Sequence, residues 1–240
     1  MFGKIAAFEL RYQLRQPVFW VVAILFFLLT YGSVTSDVIH IGDTANVHKN
    51  SPFAIIQVTE IWTLFFGMFV TAAFVANVVV RDDETGFGPI VRATRITRFD
   101  YLFGRFTGAY LAAAIAFLSV PLAIWLGSLM PWLDPETVGP NRLADYAWAY
   151  AVVGLPGLFL TSAIFFAVAC VTRSMMGTYL AVVGVLVVYL VVDILIARKP
   201  ELRHVLALGE PFGFAALGDA MRYWTASERN SLLPPFTAEI

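Results

Sequence analysis

Charge is scarce in this sequence. Of 240 residues only 14% are Asp, Glu, Lys or Arg, and the formal net charge is −1. A soluble domain carries roughly 25% charged residues, because water must solvate its surface. A chain this poor in charge has a surface facing something other than water, and its near-neutral balance argues against a nucleic-acid binder. Cysteine is almost absent. Cys170 stands alone inside an apolar run, which excludes an intrachain disulfide and reads as a small core residue. The histidines are His40, His48 and His204, and no H-E-x-x-H occurs. His40 and His48 read as loop histidines rather than metal ligands. There is no G-x-x-x-x-G-K-[ST], no G-x-S-x-G and no cysteine–histidine pairing. Gly86-Phe87-Gly88 lacks the preceding strand and following lysine of a phosphate loop. The chain is therefore not expected to be an enzyme, to hydrolyse ATP, or to hold a metal or cofactor of its own.

Apolar runs are what the sequence has in excess. Hydrophobic residues make up 59% of it, and the mean hydropathy is +0.76. A helix needs about 20 apolar residues to cross the hydrocarbon core of a bilayer. Five runs qualify: 18–34, opened by Pro17; 61–80, with the helix extending back toward Pro52; 101–130, broken by Pro121; 148–171, containing Pro156; and 178–197. Strands would alternate, and these runs do not. The expectation is an all-α, polytopic integral membrane protein, since helices satisfy their own backbone hydrogen bonds in lipid. No A-x-A-like site follows the first run, so an uncleaved first span is expected. Trp20, Trp62, Trp125, Trp132, Trp148 and Trp224 fall mostly near span ends, as interfacial anchors do.

Lys and Arg set the orientation. Lys4, Arg11, Arg15, Arg81, Arg92, Arg95, Arg98, Arg105 and Arg173 fall on one side of the spans, and Lys49 and Arg142 on the other. The N-terminus and residues 81–100 are thus expected in the cytoplasm. The tail, 198–240, runs against this bias, because five spans place it outside with five further basic residues. Its prolines and glycines read as short amphipathic helices over the outer membrane surface. Residues 1–17 mix Phe2, Ile5, Phe8, Leu10 and Tyr12 with Lys4, Glu9, Arg11 and Arg15, the pattern of an interfacial amphipathic helix.

The most informative stretch is Arg81 to Arg105. An acidic cluster (Asp82, Asp83, Glu84) precedes a Gly86-Phe87-Gly88-Pro89 break. An apolar and basic segment with Arg92, Arg95 and Arg98 follows, and Tyr101-Leu102-Phe103-Gly104 opens the next span. Helix capping or topology control by arginine would each account for the charges.

This loop resembles the first cytoplasmic loop of type-2 ABC exporter permeases, with Asp82, Glu84, Gly86, Arg95 to Arg98, Tyr101, Leu102 and Gly104 matching its outline. Phe8-Glu9-Leu10-Arg11-Tyr12 through Trp20 resembles that family's interfacial helix and first-span entrance, and span spacing extends the likeness over about the first 200 residues. The resemblance implies a permease half paired with a second half, of the same or another chain. It implies a separate dimeric ATPase, carrying ATP and Mg, docked on a coupling loop made of Asp82, Asp83, Glu84, Gly86, Pro89, Arg92, Arg95 and Arg98. It also implies a bacterial inner-membrane location, lipid contact, and no nucleic-acid partner. The motifs further resemble large bacterial permeases that carry a zinc aminopeptidase after their membrane halves. The family's sixth span is missing from these residues, and so is any peptidase motif.

Ionisable and polar groups in spans are functional candidates. Glu60 and Asp193 are expected near the outer interface in structural roles, with lining of a substrate route as the rival, and Asn77 is expected to bond between helices. Two other classes stand beside the exporter: a non-transporting membrane anchor or assembly factor, and an intramembrane enzyme, which the lack of paired catalytic residues in the spans disfavours.

Overall fold

In the computed structural model the described residues are 1–36, 46–84, 86, 96–198 and 212–235; the side chains of 82–84, 193 and 196–198 lie outside the description. Helices dominate and no strand occurs among the described residues. They are α1 (Phe2–Arg15), α2 (Pro17–Thr35), α3 (Pro52–Phe65), α4 (Thr71–Glu84), α5 (Arg98–Phe117), α6 (Ser119–Gly127), α7 (Leu143–Trp148), α8 (Leu155–Thr172), α9 (Met175–Arg198), α10 (Phe214–Ala220) and α11 (Ala226–Ser231). Five stretches are long and apolar enough to cross a membrane: Pro17–Thr35, Pro52–Arg81, Arg98–Gly127, Leu143–Thr172 and Met175–Val192. Such a set suggests a multi-pass membrane protein. The second is the most buried and the fifth the least.

Proline chemistry explains several helix boundaries. Pro17 and Pro52 occupy first helical positions, where their missing N–H costs nothing. Pro121 cannot donate to Phe117, four residues earlier, and its ring crowds that carbonyl. The helix breaks there, at Leu118, and α6 begins at Ser119. Pro156 acts likewise on Val152, and the chain widens into a π-helical turn at Ala149–Gly154. A second π-helical turn, Phe66–Val70, contains no proline. There the Thr71 hydroxyl donates to the Gly67 carbonyl. A Cβ on Gly67 would lie 2.9 Å from Thr161 Oγ1, so a small residue is required at this approach. Arg173 closes α8 in the left-handed region (φ 47°), and its N–H bonds the Ala169 carbonyl at 2.8 Å.

The described chain forms two compact units, each assembled from three stretches. Unit 1 comprises Met1–Val22, Phe65–Ala116 and Leu158–Leu190. Its core holds Val75, Val78, Phe106 and Ala109, with Ala163 and Phe166 against them. Phe106 stacks edge-on to Phe159 at 5.7 Å, and Tyr110 does the same at 5.5 Å. Such pairs contribute about 0.5–1.5 kcal/mol each beyond area burial. Gly104, Gly108, Ala112 and Ala116 recur every fourth residue along α5, and all are buried. This small-residue ladder lets neighbouring backbones approach closely.

Unit 2 comprises Ala23–Leu64, Phe117–Gly157 and Val191–Ile240. Ile55, Ile56, Phe117, Ile124 and Leu217 are fully buried in it. Within the tail, α10 buries Ala215, Ala216 and Leu217. Thr225 and Glu228 cap α11 reciprocally. Those backbone and hydroxyl bonds hold the exposed Glu228 carboxyl below its ordinary value.

Candidate functional site

Unit 1 gathers ionic groups around one carboxylate. Glu9 sits on the inner face of α1 and is fully buried. Its Oε2 accepts from Arg81 Nη2 at 2.9 Å and from Arg105 Nη1. Its Oε1 accepts from Gln13 Nε2 at 3.1 Å. The Gln13 amide also donates to the Phe74 carbonyl at 3.3 Å. Arg81 lies in the last turn of α4 and Arg105 in the second turn of α5. One carboxylate on α1 therefore holds the two helices that border the charged loop.

Aromatic faces also meet the two guanidiniums. The Arg81 guanidinium lies 4.0 Å from the Tyr12 ring centroid. Arg105 lies 5.4 Å from the Tyr101 ring and 6.0 Å from the Phe8 ring. Each such contact is worth about 0.5–1 kcal/mol when exposed and about 2 when desolvated. Charge-assisted hydrogen bonds to the same carboxylate offset part of the cost of burying it.

Backbone proximity makes these bonds reachable. Cβ atoms built on Gly104 would meet Ile5 and the Phe2 carbonyl; on Gly108 they would meet Glu9 and the Ala6 carbonyl. The contact thus advances along α1 and α5 in the same sense. A second tie closes the start of α1. Phe2 N–H donates to Asp100 Oδ1 at 3.2 Å, and the terminal ammonium stands 4.0 Å from Asp100 Oδ2. A carboxylate at a helix N-terminus complements the macrodipole. Asp100 in turn is placed by Thr97, whose hydroxyl accepts the Asp100 N–H at 3.1 Å and caps α5.

The expected docking residues fall around this clamp. Arg81 to Glu84 continue α4, so the backbones of Asp82, Asp83 and Glu84 are helical. Gly86 has φ +66°, the left-handed region that favours glycine just past a helix end. Pro89, Arg92 and Arg95 lie outside the described residues. Arg98 is exposed at the first position of α5. Of the intramembrane candidates, Glu60 is buried on α3 in unit 2, Asn77 is exposed on α4, and Asp193 lies in α9 with its side chain outside the description. Asn77, the one of the three that lies in unit 1, is not among the groups bonded to Glu9. No cluster of His, Cys, Asp and Glu of metal-binding size occurs among the described residues.

Sequence reasoning missed Glu9 and treated Arg81 and Arg105 as topology signals. Two signals were there to read. Glu9 is the one acidic residue of α1 and lies on the side opposite Lys4, Arg11 and Arg15. Gly104-x-x-x-Gly108 is a close-packing motif at the entrance of a span.

Unit 2 holds a neutral polar network instead. Asn50 Nδ2 donates to the Gly139 carbonyl at 2.7 Å and to Asn141 Oδ1 at 2.9 Å, while Asn50 Oδ1 accepts from Gly139 N–H at 2.7 Å. The Tyr146 hydroxyl donates to Asn141 Oδ1 at 2.6 Å, and Asn141 Nδ2 donates to Ser128 Oγ at 2.9 Å. Asn230 accepts the His48 N–H at 2.8 Å and donates to the Asn46 carbonyl at 2.9 Å. This network pins the segments before α3 and α7 together. Asn50→Ala removes three of its bonds at once and strands both polar groups of the half-buried Gly139. A loss of about 1–3 kcal/mol in denaturant unfolding is expected, with proteolysis arising first near Gly139.

Neither a family model nor a curated protein matches this chain.

Proposed function

We propose that this chain is the transmembrane permease subunit of an ABC exporter in the bacterial inner membrane. Its N-terminus faces the cytosol, a second permease half completes the pathway, and separate ATPase subunits supply the ATP and Mg chemistry. The ATPase docks on the charged stretch 81–100, through Asp82, Asp83 and Glu84 toward basic groups and through Arg92, Arg95 and Arg98 toward acidic ones. Support comes from the five apolar helices, from the basic bias of the loops, and from the likeness of the loop to exporter permeases.

The observation that carries the proposal is the Glu9 clamp. A loop that transmits motion must be rigidly joined to the helices it moves. Arg81 and Arg105 flank this loop on both sides, and both are bonded to α1. Breaking such a buried pair costs about 3–5 kcal/mol. A displacement of the loop therefore carries α1, α4 and α5 with it before the clamp opens.

The test is a charge reversal. An ATP-binding cassette subunit is expected to co-purify with the full chain. Combining Asp83→Lys, Glu84→Lys and Arg95→Glu should reduce that recovery at least tenfold, which corresponds to about 1.4 kcal/mol, while the thermal melt of the permease stays unchanged. Undiminished ATPase recovery from the reversed variant would refute the docking site.

A further inference from the structure

The outward face of α1 is the reverse of its inward one. Lys4, Phe8, Arg11 and Arg15 recur at helical spacing, and all four are exposed. They form a stripe about 16 Å long at 1.5 Å per residue. None of the three cations has an ion pair or side-chain hydrogen bond among the described residues. The helix's one acid, Glu9, is turned inward and outnumbered there by two arginines. Phe8 is 61% exposed beside the cations. Where α1 meets α2, the exposed Trp20 donates its indole N–H to the Leu14 carbonyl at 3.1 Å, and Val18 and Val21 are exposed around it. Unpaired cations interleaved with exposed aromatic and aliphatic groups match the boundary between phosphate headgroups and acyl chains.

We infer that the Lys4–Arg11–Arg15 stripe binds the headgroups of anionic phospholipids in the cytosolic leaflet. Two features favour a lipid surface over a protein one. Charge complementarity requires a row of anions with no cation among them, which a leaflet of anionic lipid supplies. The apolar residues sit within the stripe and beside it, where acyl chains begin. The inference rests on the membrane-inserted, cytosolic N-terminus proposed above.

The test uses the full chain reconstituted in vesicles of phosphatidylcholine and phosphatidylglycerol in equal amounts. Spin-labelled versions of the two lipids report their relative association with the protein. Each cation near an anionic surface gains about fivefold in partitioning. The wild type should therefore prefer phosphatidylglycerol, and the combination Lys4→Gln, Arg11→Gln and Arg15→Gln should bring the preference close to unity. Neutralising Lys49 and Arg142 instead should leave it intact. A preference that survives the triple change, or is absent from the wild type, overturns the inference. So does loss of the preference when the ATPase subunit is added, which would assign the stripe to that protein. ATPase docking scored in the same vesicles separates this result from the permease proposal, because the triple change leaves residues 81–100 and the inward Glu9 untouched.

Discussion

Glu9→Ala is expected to destabilise the protein by about 3–5 kcal/mol, the usual cost of breaking a buried ion pair from one side. The reason is electrostatic. Glu9 is fully buried, Arg105 nearly so, and Arg81 mostly so. Removing the carboxylate takes from both guanidiniums the buried anion that they share. Gln13 loses its acceptor at the same time. An exposed pair would cost no more than about 1 kcal/mol, because water and side-chain entropy cancel most of it. Denaturant unfolding of the full chain in detergent separates the two cases. Amide exchange should show α1 released first. A double change, Glu9→Met with Arg105→Met, should recover part of the loss, since it removes both charges of the more deeply buried pair. A loss near that of an exposed pair would mean that the clamp is not a buried ionic lock.

The second large effect is steric. A Cβ on Gly108 would lie 2.6 Å from the Glu9 Cβ, 2.7 Å from the Ala6 carbonyl oxygen and 3.1 Å from the Leu10 nitrogen. Two of these obstacles are backbone, so the added methyl cannot be accommodated by a rotamer change. Gly108→Ala gains about 1 kcal/mol of helix propensity. Overpacking costs about 1–3 kcal/mol and more when backbone must move. The clash wins, and α1 is pushed off α5. Gly184→Ala supplies the control, for nothing lies within 4 Å of a Cβ there. It should stabilise α9 by up to about 1 kcal/mol from propensity alone. The two changes are chemically identical, so their opposite signs isolate the close approach. The permease proposed above would then show less transport per ATP hydrolysed in Gly108→Ala, because the strained clamp would no longer move α1 with the loop.

Much of the helical framework was legible in the sequence, because apolar run length and proline chemistry are local. Pro121 announced the break that appears at Leu118, while Pro156 was read only as lying within its span and the π-helical turn at Ala149–Gly154 was not expected. The π-helical turn at Phe66–Val70 was not legible. It contains no proline and depends on how closely Gly67 approaches Thr161, 94 positions along the chain. The clamp was hidden for the same reason. Its ion pairs join residues separated by 72 and 96 positions. Arginine near a span end has an adequate local explanation in topology, so Arg81 and Arg105 gave no cause to look for a carboxylate. The division into two units, each drawn from three stretches, also arises from tertiary packing that no composition shift marks.

Site-directed labelling of the charged loop tests the central claim most directly. Thr94→Cys on a Cys170→Ser background places one thiol in residues 81–100. A membrane-impermeant maleimide should modify it in inverted vesicles and not in spheroplasts, and adding the ATPase subunit should protect it. Modification from the outer face would put the loop beyond the reach of any cytosolic motor and contradict the account.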